Sequence, residues 1–447
     1  MIIKKIIFTF IFIGISNLYP LGLFGETYFV NGVEGDDLNN GLSAESAWKT
    51  LQQSADSMKA GDKAIVLRGF YNERVIVSQS GQPQKPIVFQ SCGQVQCKGF
   101  VLKGNYVKIV GFEIVNIIDE ESWSYEARHN GSGIHIEGNF IEILENHILG
   151  ATCVGINFYS HSRQLNSPKH CIVRNNSITN SGLAGMYVVG STHLIDGNDI
   201  SRTRLYAGDA DGIRFFGDGH VFRNNFIHNI LVEDGNAEAH IDCFQTYEHA
   251  KSMLFEKNTM INLNPGHQGV IIQKYDGLVE NFVFKNNLFV MASTKGYSPA
   301  ILVGTSGENV RNINFFNNTF VRKFVQGGFA IWLKNCSEIK IENNNFYNFG
   351  NENVSYVQVD EIATDIRIKN NSVFTIGEPP KNGPYPNDLW MLDPQFQNVE
   401  MNDFSLTKDS PLIDKGKNIE EVAYDFFRVP RPQGARMDIG AFEFSLQ

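Results

Sequence analysis

The chain lacks the long Ala/Leu/Glu/Lys-rich stretches of helical periodicity that build bundles and coiled coils, so an all-helical fold is excluded. It also lacks an excess of basic charge. With 38 Lys and Arg against 48 Asp and Glu, the net charge is −10, and no nucleic-acid partner is expected. Cysteine is scarce: the six are scattered, with no zinc-site spacing, so the chain is neither a disulfide scaffold nor a zinc domain. Only Cys92 and Cys97, in Cys-Gly-Gln-Val-Gln-Cys, lie close enough in sequence to be expected to close a small disulfide loop. Cys153, Cys171, Cys243 and Cys336 read as buried free thiols.

Long apolar runs are almost missing too. The one candidate is Ile6 to Ile15, broken by Thr9 and Gly14, preceded by Lys4-Lys5 and followed by Ser16, Asn17, Pro20 and Gly25. It is too short to span a bilayer and reads as a signal peptide over 1–25. The expected location is therefore secreted, periplasmic or cell-surface, without stable membrane insertion, and the expected state is a monomer. No cysteine stands near the cleavage point, which argues against a lipoprotein.

What is abundant is Phe (34), Gly (41) and Asn, a composition of strands and turns. The Asn residues recur before short apolar runs, at 146, 176, 198, 225, 258, 287, 318, 344 and 371, in steps between 22 and 33 residues. A second phase, small-apolar-x-apolar, runs through the same intervals. It begins Gly133-Ile134-His135-Ile136 and Gly155-Ile156-Asn157-Phe158, then Gly185-Met186-Tyr187-Val188 and Gly212-Ile213-Arg214-Phe215. It continues from Cys243, Gly269, Ala300 and Ala330. Repeats of this period with alternating apolar residues predict stacked coils of short strands, a right-handed parallel β-helix solenoid. Asn tolerates the backbone angles of a tight turn, and stacked Asn amides bond to one another, so the Asn column needs no catalytic role.

The ends read as caps. Trp48, Leu51, Ala55 and Met58 lie at helical spacing within 46–59, which predicts an N-terminal capping helix. The organisation expected after the signal peptide is one domain: cap and first coils over 26–110, central coils over 111–378, and C-terminal coils and tail over 379–447.

The opening Tyr28-Phe29-Val30, Gly35-Asp36-Asp37, Asn40-Gly41, Ala47-Trp48-Lys49-Thr50, Ala60-Gly61-Asp62 and Arg68-Gly69-Phe70-Tyr71 resembles that of exported β-helix proteins. Secreted pectate lyases and β-helix glycosidases are among them, and the ending Asp438-Ile439-Gly440-Ala441-Phe442-Glu443 is similar to a recurrent terminus of the group. The resemblance implies the fold for nearly the whole mature chain; function on this fold depends on individual sites.

Aligned by the second phase, the residue before the small position reads Ser132, Val154, Ala184, Asp211, Asp242, Gln268, Pro299 and Phe329. Three adjacent middle coils are thus polar there. Around them lie Asp209, Arg214, Glu238, His240, Gln245, Tyr247, His267 and Lys274. Coils stack ~4.8 Å apart, so Asp211 and Asp242 are expected as near neighbours. Two such carboxylates suit a general acid with a base or nucleophile in a glycoside hydrolase. With Glu238 they equally suit calcium in a polysaccharide lyase. Asp209-Ala210-Asp211-Gly212, Asp242-Cys243 and Gly266-His267-Gln268-Gly269 resemble the polygalacturonase series Asn-Thr-Asp-Gly, Asp-Asp-Cys and Gly-His-Gly. Ile241 and Gln268 depart from it. By that likeness Asp211 and Asp242 are catalytic and His267 orients. Ala210-Asp211-Gly212 also resembles a calcium-ligand segment of pectate lyases, with Lys274 as the base.

The expected site therefore has Asp211, Asp242, His267 and Lys274 as catalytic residues. Asp209, Arg214, His240, Gln245, Tyr247 and Gln268 bind substrate, and Trp123, Tyr125 and His129 form a further groove wall. The expected activity is cleavage of a polysaccharide, one with uronate units included. The competing expectation is a non-catalytic glycan-binding or adhesive surface β-helix.

Overall fold

The structure, a computed structural model, describes residues 25–115, 125–159, 168–203, 210–230, 241–261, 268–291, 298–305, 310–324 and 326–445. Two long sheets of parallel strands run the length of the molecule. One has eleven strands, from Val75–Val77 through Asp211–Phe215 and Phe244–Thr246 to Val357–Val359. The other has 25 strands and bends at each Asn turn. A coil thus reads as three short strands, for example Asp211–Phe215, Val221–Arg223 and Phe226–His228. Each strand pairs with its counterpart in the next coil.

The register follows the small-apolar phase of the sequence. Ile134, Ile156, Met186, Ile213, Phe244, Val270, Ile301 and Ile331 stand in one column. The small residue before each is a packing requirement. A Cβ on Gly185 would lie 2.4 Å from Ile200 Cγ2, and one on Gly212 would lie 2.8 Å from Ile227 Cγ2. Phenylalanine fills the interior in stacks: Phe255 and Phe284 are 4.3 Å apart, and Phe289 and Phe320 are 4.6 Å apart, each pair nearly parallel.

The Asn column is a ladder. Nδ2 of Asn146 donates to Oδ1 of Asn176 at 3.0 Å, and the pattern repeats through Asn198, Asn225, Asn258, Asn287, Asn318, Asn344 and Asn371. The ladder Asn are buried. The left-handed turn angle belongs to the residue before each of them, such as Asn175 (φ 55°), Asn224 (φ 53°) and Asn317 (φ 52°). The two halves of each Asn-Asn pair therefore do different jobs, one bending the chain and the other bonding the stack.

The C-terminal segment lies along the later coils. The left-handed Asn286, Asn317 and Asn343 donate from Nδ2 to the carbonyls of Tyr424, Asp438 and Lys417 at 2.8, 2.9 and 2.7 Å. The buried Arg431 binds the carbonyls of Asp438 and Gly440, both at 2.9 Å, and Phe442 is buried beside Leu288 and Val321.

Two expectations are corrected. The N-terminal helix α1 covers only Leu51–Ser57, capped by the Thr50 hydroxyl on Gln53 N–H, because Trp48 is drawn instead into a bridge with Val30. Cys92 and Cys97 are both free thiols. They stand on either side of an irregularity in the strand Ile87–Cys97, at the left-handed Gly93 (φ 85°), and their thiols do not meet. Cys92 is exposed and Cys97 buried, with its thiol pushed up to about 12 by burial.

Candidate functional site

The eleven-stranded sheet presents a column of outward-facing residues, each flanked by inward apolar ones. In register these are Val101, His135, Asn157, Tyr187, Arg214, Gln245, Ile271, Leu302, Trp332 and Gln358. Five consecutive rungs, His135 to Gln245, are polar, and all five side chains are buried. Two apolar rungs, Ile271 and Leu302, follow. Burying polar groups on five successive coils is costly unless they find partners; the Asn157 amide meets His135 Nδ1 at 2.8 Å and Arg214 pairs with Asp211.

Aspartates 211 and 242 stand at the start of the central rungs. Asp211 is fully buried; its Oδ2 accepts from Arg214 Nε at 2.8 Å and from Arg214 Nη2 at 2.5 Å. Its Oδ1 accepts from Asp242 N–H at 3.0 Å, and Asp242 Oδ1 accepts from Gln268 N–H, also at 3.0 Å. The structure thus brings Asp211, Asp242, Arg214 and Gln268 into one chain of bonds across three coils. Arg214 lies 5.5 Å over the Tyr247 ring, Tyr247 packs edge-on to Phe216 at 4.9 Å, and Tyr275 is 6.3 Å further out and exposed. Gln245 is the rung next to Arg214, and Lys274 is half-buried just beyond the Val270–Ile272 strand.

This geometry does not suit calcium. A guanidinium occupies the Asp211 carboxylate that a calcium cage would need, and a buried cation beside it would be repelled. Glu238, the third expected ligand, lies outside the described residues, as do Asp209, His240, His267 and Trp123; Tyr125 opens helix α2 (Tyr125–Gly131).

The comparisons agree with this architecture. Residues 132–322 match the model of the right handed beta helix region. The chain is a right-handed parallel β-helix. No curated protein sequence matches it. Among solved structures, the β-helix is similar to XylC in complex with xylose, at 13% identity and a TM-score of 0.62, covering 94% of this chain and 98% of that one. A PL6 family polysaccharide lyase from Pseudopedobacter saltans gives 13% identity, 89% and 99% coverage and a TM-score of 0.53. A GH136 lacto-N-biosidase from Eubacterium ramulus gives 15% identity, 77% and 68% coverage and a TM-score of 0.52. Likeness at this identity establishes the fold and leaves the chemistry to the site.

Sequence reasoning passed over His135, Asn157 and Tyr187 as site residues. The signal was present: each stands at the x position of the small-apolar-x-apolar phase, as do Arg214 and Gln245.

Proposed function

We propose that this β-helix is an exported carbohydrate-active enzyme that takes a uronate-containing polysaccharide where the polar column reaches the surface, at Tyr247, Lys274 and Tyr275, and cleaves it by β-elimination. The observation that carries the reading is the run of five polar rungs, His135, Asn157, Tyr187, Arg214 and Gln245, ending abruptly at Ile271. Arg214 is the recognition cation. Its planar fork, fixed by Asp211, is matched to a carboxylate, and drawing charge from a uronate makes the neighbouring C–H more acidic. Lys274 is the base assigned to that proton: its amine takes it as the C–H electrons form the C=C bond and the glycosidic C–O bond breaks. The resulting ammonium returns a proton to the departing oxygen, and Tyr247 with Tyr275 offers ring faces for a sugar. Asp211 is a positioning residue, because both of its oxygens are engaged. Asp242 keeps its place at the centre as the carboxylate that orients the Gln268 turn. Elimination is preferred over hydrolysis because a glycosidase needs two carboxylates disposed about the glycosidic bond, whereas Asp211 is committed to Arg214. Helix α1 is assigned the role of covering the N-terminal end of the stack, since it packs on the first strands and buries Leu51 and Ala55.

The test is a panel of uronate and neutral polysaccharides incubated with the full-length protein. Unsaturated, ultraviolet-absorbing ends from uronate substrates are expected. New reducing ends without unsaturation would replace elimination by hydrolysis, and binding without cleavage would make the protein a glycan-binding module.

A further inference from the structure

At the N-terminal end of the polar column, His129, His135 and Glu137 converge, with their ligand-type atoms all within 4.8 Å of one another. His129 comes from helix α2, while His135 and Glu137 leave the Ile134–Ile136 strand two residues apart, on the same side. The separations are informative. Nε2 of His135 lies 3.7 Å from Glu137 Oε1, and Nε2 of His129 lies 3.9 Å from the same oxygen. Both are too long for hydrogen bonds. Ligand atoms held ~2.0–2.1 Å from a tetrahedral zinc ion stand about 3.3 Å apart, so each histidine nitrogen stands about half an ångström beyond that spacing from the shared Glu137 oxygen.

The tautomers fit. Nδ1 of His129 is 2.9 Å from Asn130 Oδ1, an oxygen that can only accept, so Nδ1 carries the proton and the Nε2 lone pair points toward Glu137. The His135 ring is held through Nδ1 by the Asn157 amide at 2.8 Å. Asn157 Oδ1 is buried without a hydrogen-bond partner among the described residues. Turning the amide over places that oxygen on His135 Nδ1–H and gives the second ring the same tautomer as the first. The mount is rigid. Arg74 donates to the carbonyls of Ser132 at 2.5 Å and His129 at 2.6 Å, tying helix α2 to the strand that follows it.

We infer that His129, His135 and Glu137 form a binding site for a divalent transition-metal ion of the zinc class. Two imidazoles and one carboxylate select zinc-class ions over calcium or magnesium, which prefer all-oxygen shells. The site stands apart from the Asp211–Arg214 centre, and the proposal does not depend on the cleavage reaction.

The experiment is zinc titration by calorimetry on the metal-stripped full-length protein, with cobalt substitution followed by visible absorption. One equivalent of zinc is expected at micromolar affinity or tighter, together with a cobalt spectrum of low-symmetry, nitrogen-containing coordination. His129→Gln and Glu137→Gln, whose side chains are partly exposed, should fold normally by circular dichroism and each weaken zinc binding by about tenfold or more. His135→Gln, at the buried position, should abolish binding; the two milder variants keep the test decisive if it fails to fold. Absence of stoichiometric zinc binding, or binding unchanged in both folded variants, would overturn the proposal.

Discussion

Asp242 N–H donates to Asp211 Oδ1 across one coil step, at 3.0 Å. The two aspartates are neighbours, and the contact between them is a backbone bond that fixes register. Asp211 spends its remaining oxygen on Arg214, in a pair with both side chains at or below 5% exposure. Removing the guanidinium by Arg214→Leu leaves a buried charge alone, so a loss of about 3–5 kcal/mol is expected. Urea denaturation followed by circular dichroism measures it; an unchanged midpoint would mean that the pair contributes nothing to the fold.

The small-apolar phase, read from single residues, gave the strand register of eight coils, because only a small side chain fits before each inward apolar residue, as at Gly185 and Gly212. The Asn ladder was equally legible, since its spacing is that of the coil. The Asp211–Arg214 pair was not. Strict alternation sets residues three apart on opposite faces of a strand, so an (i, i+3) contact is not one it encodes. Neither were the buried polar rungs, since alternation marks a residue as outward without showing whether it is covered. The cysteine expectation failed for a related reason: nearness in sequence does not show which environment each thiol takes, and Cys92 is exposed while Cys97 is buried.

The ladder should be costly to break. Asn258 donates from Nδ2 to Phe222 O at 2.9 Å and to Asn287 Oδ1 at 3.0 Å, while its own Oδ1 accepts from Asn225. Asn258→Ala strands these buried groups, and a loss of about 2–4 kcal/mol is expected. Asn353, exposed and outside the ladder, is the control. Equal denaturation midpoints for the Asn258→Ala and Asn353→Ala proteins would contradict the ladder's role.

Stability should fall in mild acid. His220 accepts from His193 N–H through Nδ1 at 3.2 Å and donates from Nε2 to Phe216 O at 2.9 Å, so it is held neutral. Burial pushes its pKa from 6.5 down to about 4. Unfolded chain therefore binds a proton that folded chain refuses between those values. The contribution is complete above pH ~6.5 and is lost as the pH falls toward ~4, up to about 3 kcal/mol. Thermal midpoints across that range should drop more steeply than in His220→Asn; identical slopes would remove His220 from the account.

One thiol should react in the native state. Cys92 is exposed, whereas Cys97, Cys153, Cys171, Cys243 and Cys336 are buried. A thiol reagent without denaturant should label Cys92 alone, and peptide mass spectrometry should find no bridge to Cys97. A Cys92–Cys97 disulfide in the native protein would contradict the placement of one thiol at the surface and the other in the core.

The most direct test of the central claim is the turnover of Gln245→Leu, which converts one polar rung into the apolar kind found at Leu302 while keeping volume and burial similar. A polar column that serves a glycan predicts kcat/KM on the cleaved polysaccharide reduced by about a hundredfold in a protein that still folds by circular dichroism. Unchanged turnover in a folded Gln245→Leu protein would contradict the assignment of this face as the site.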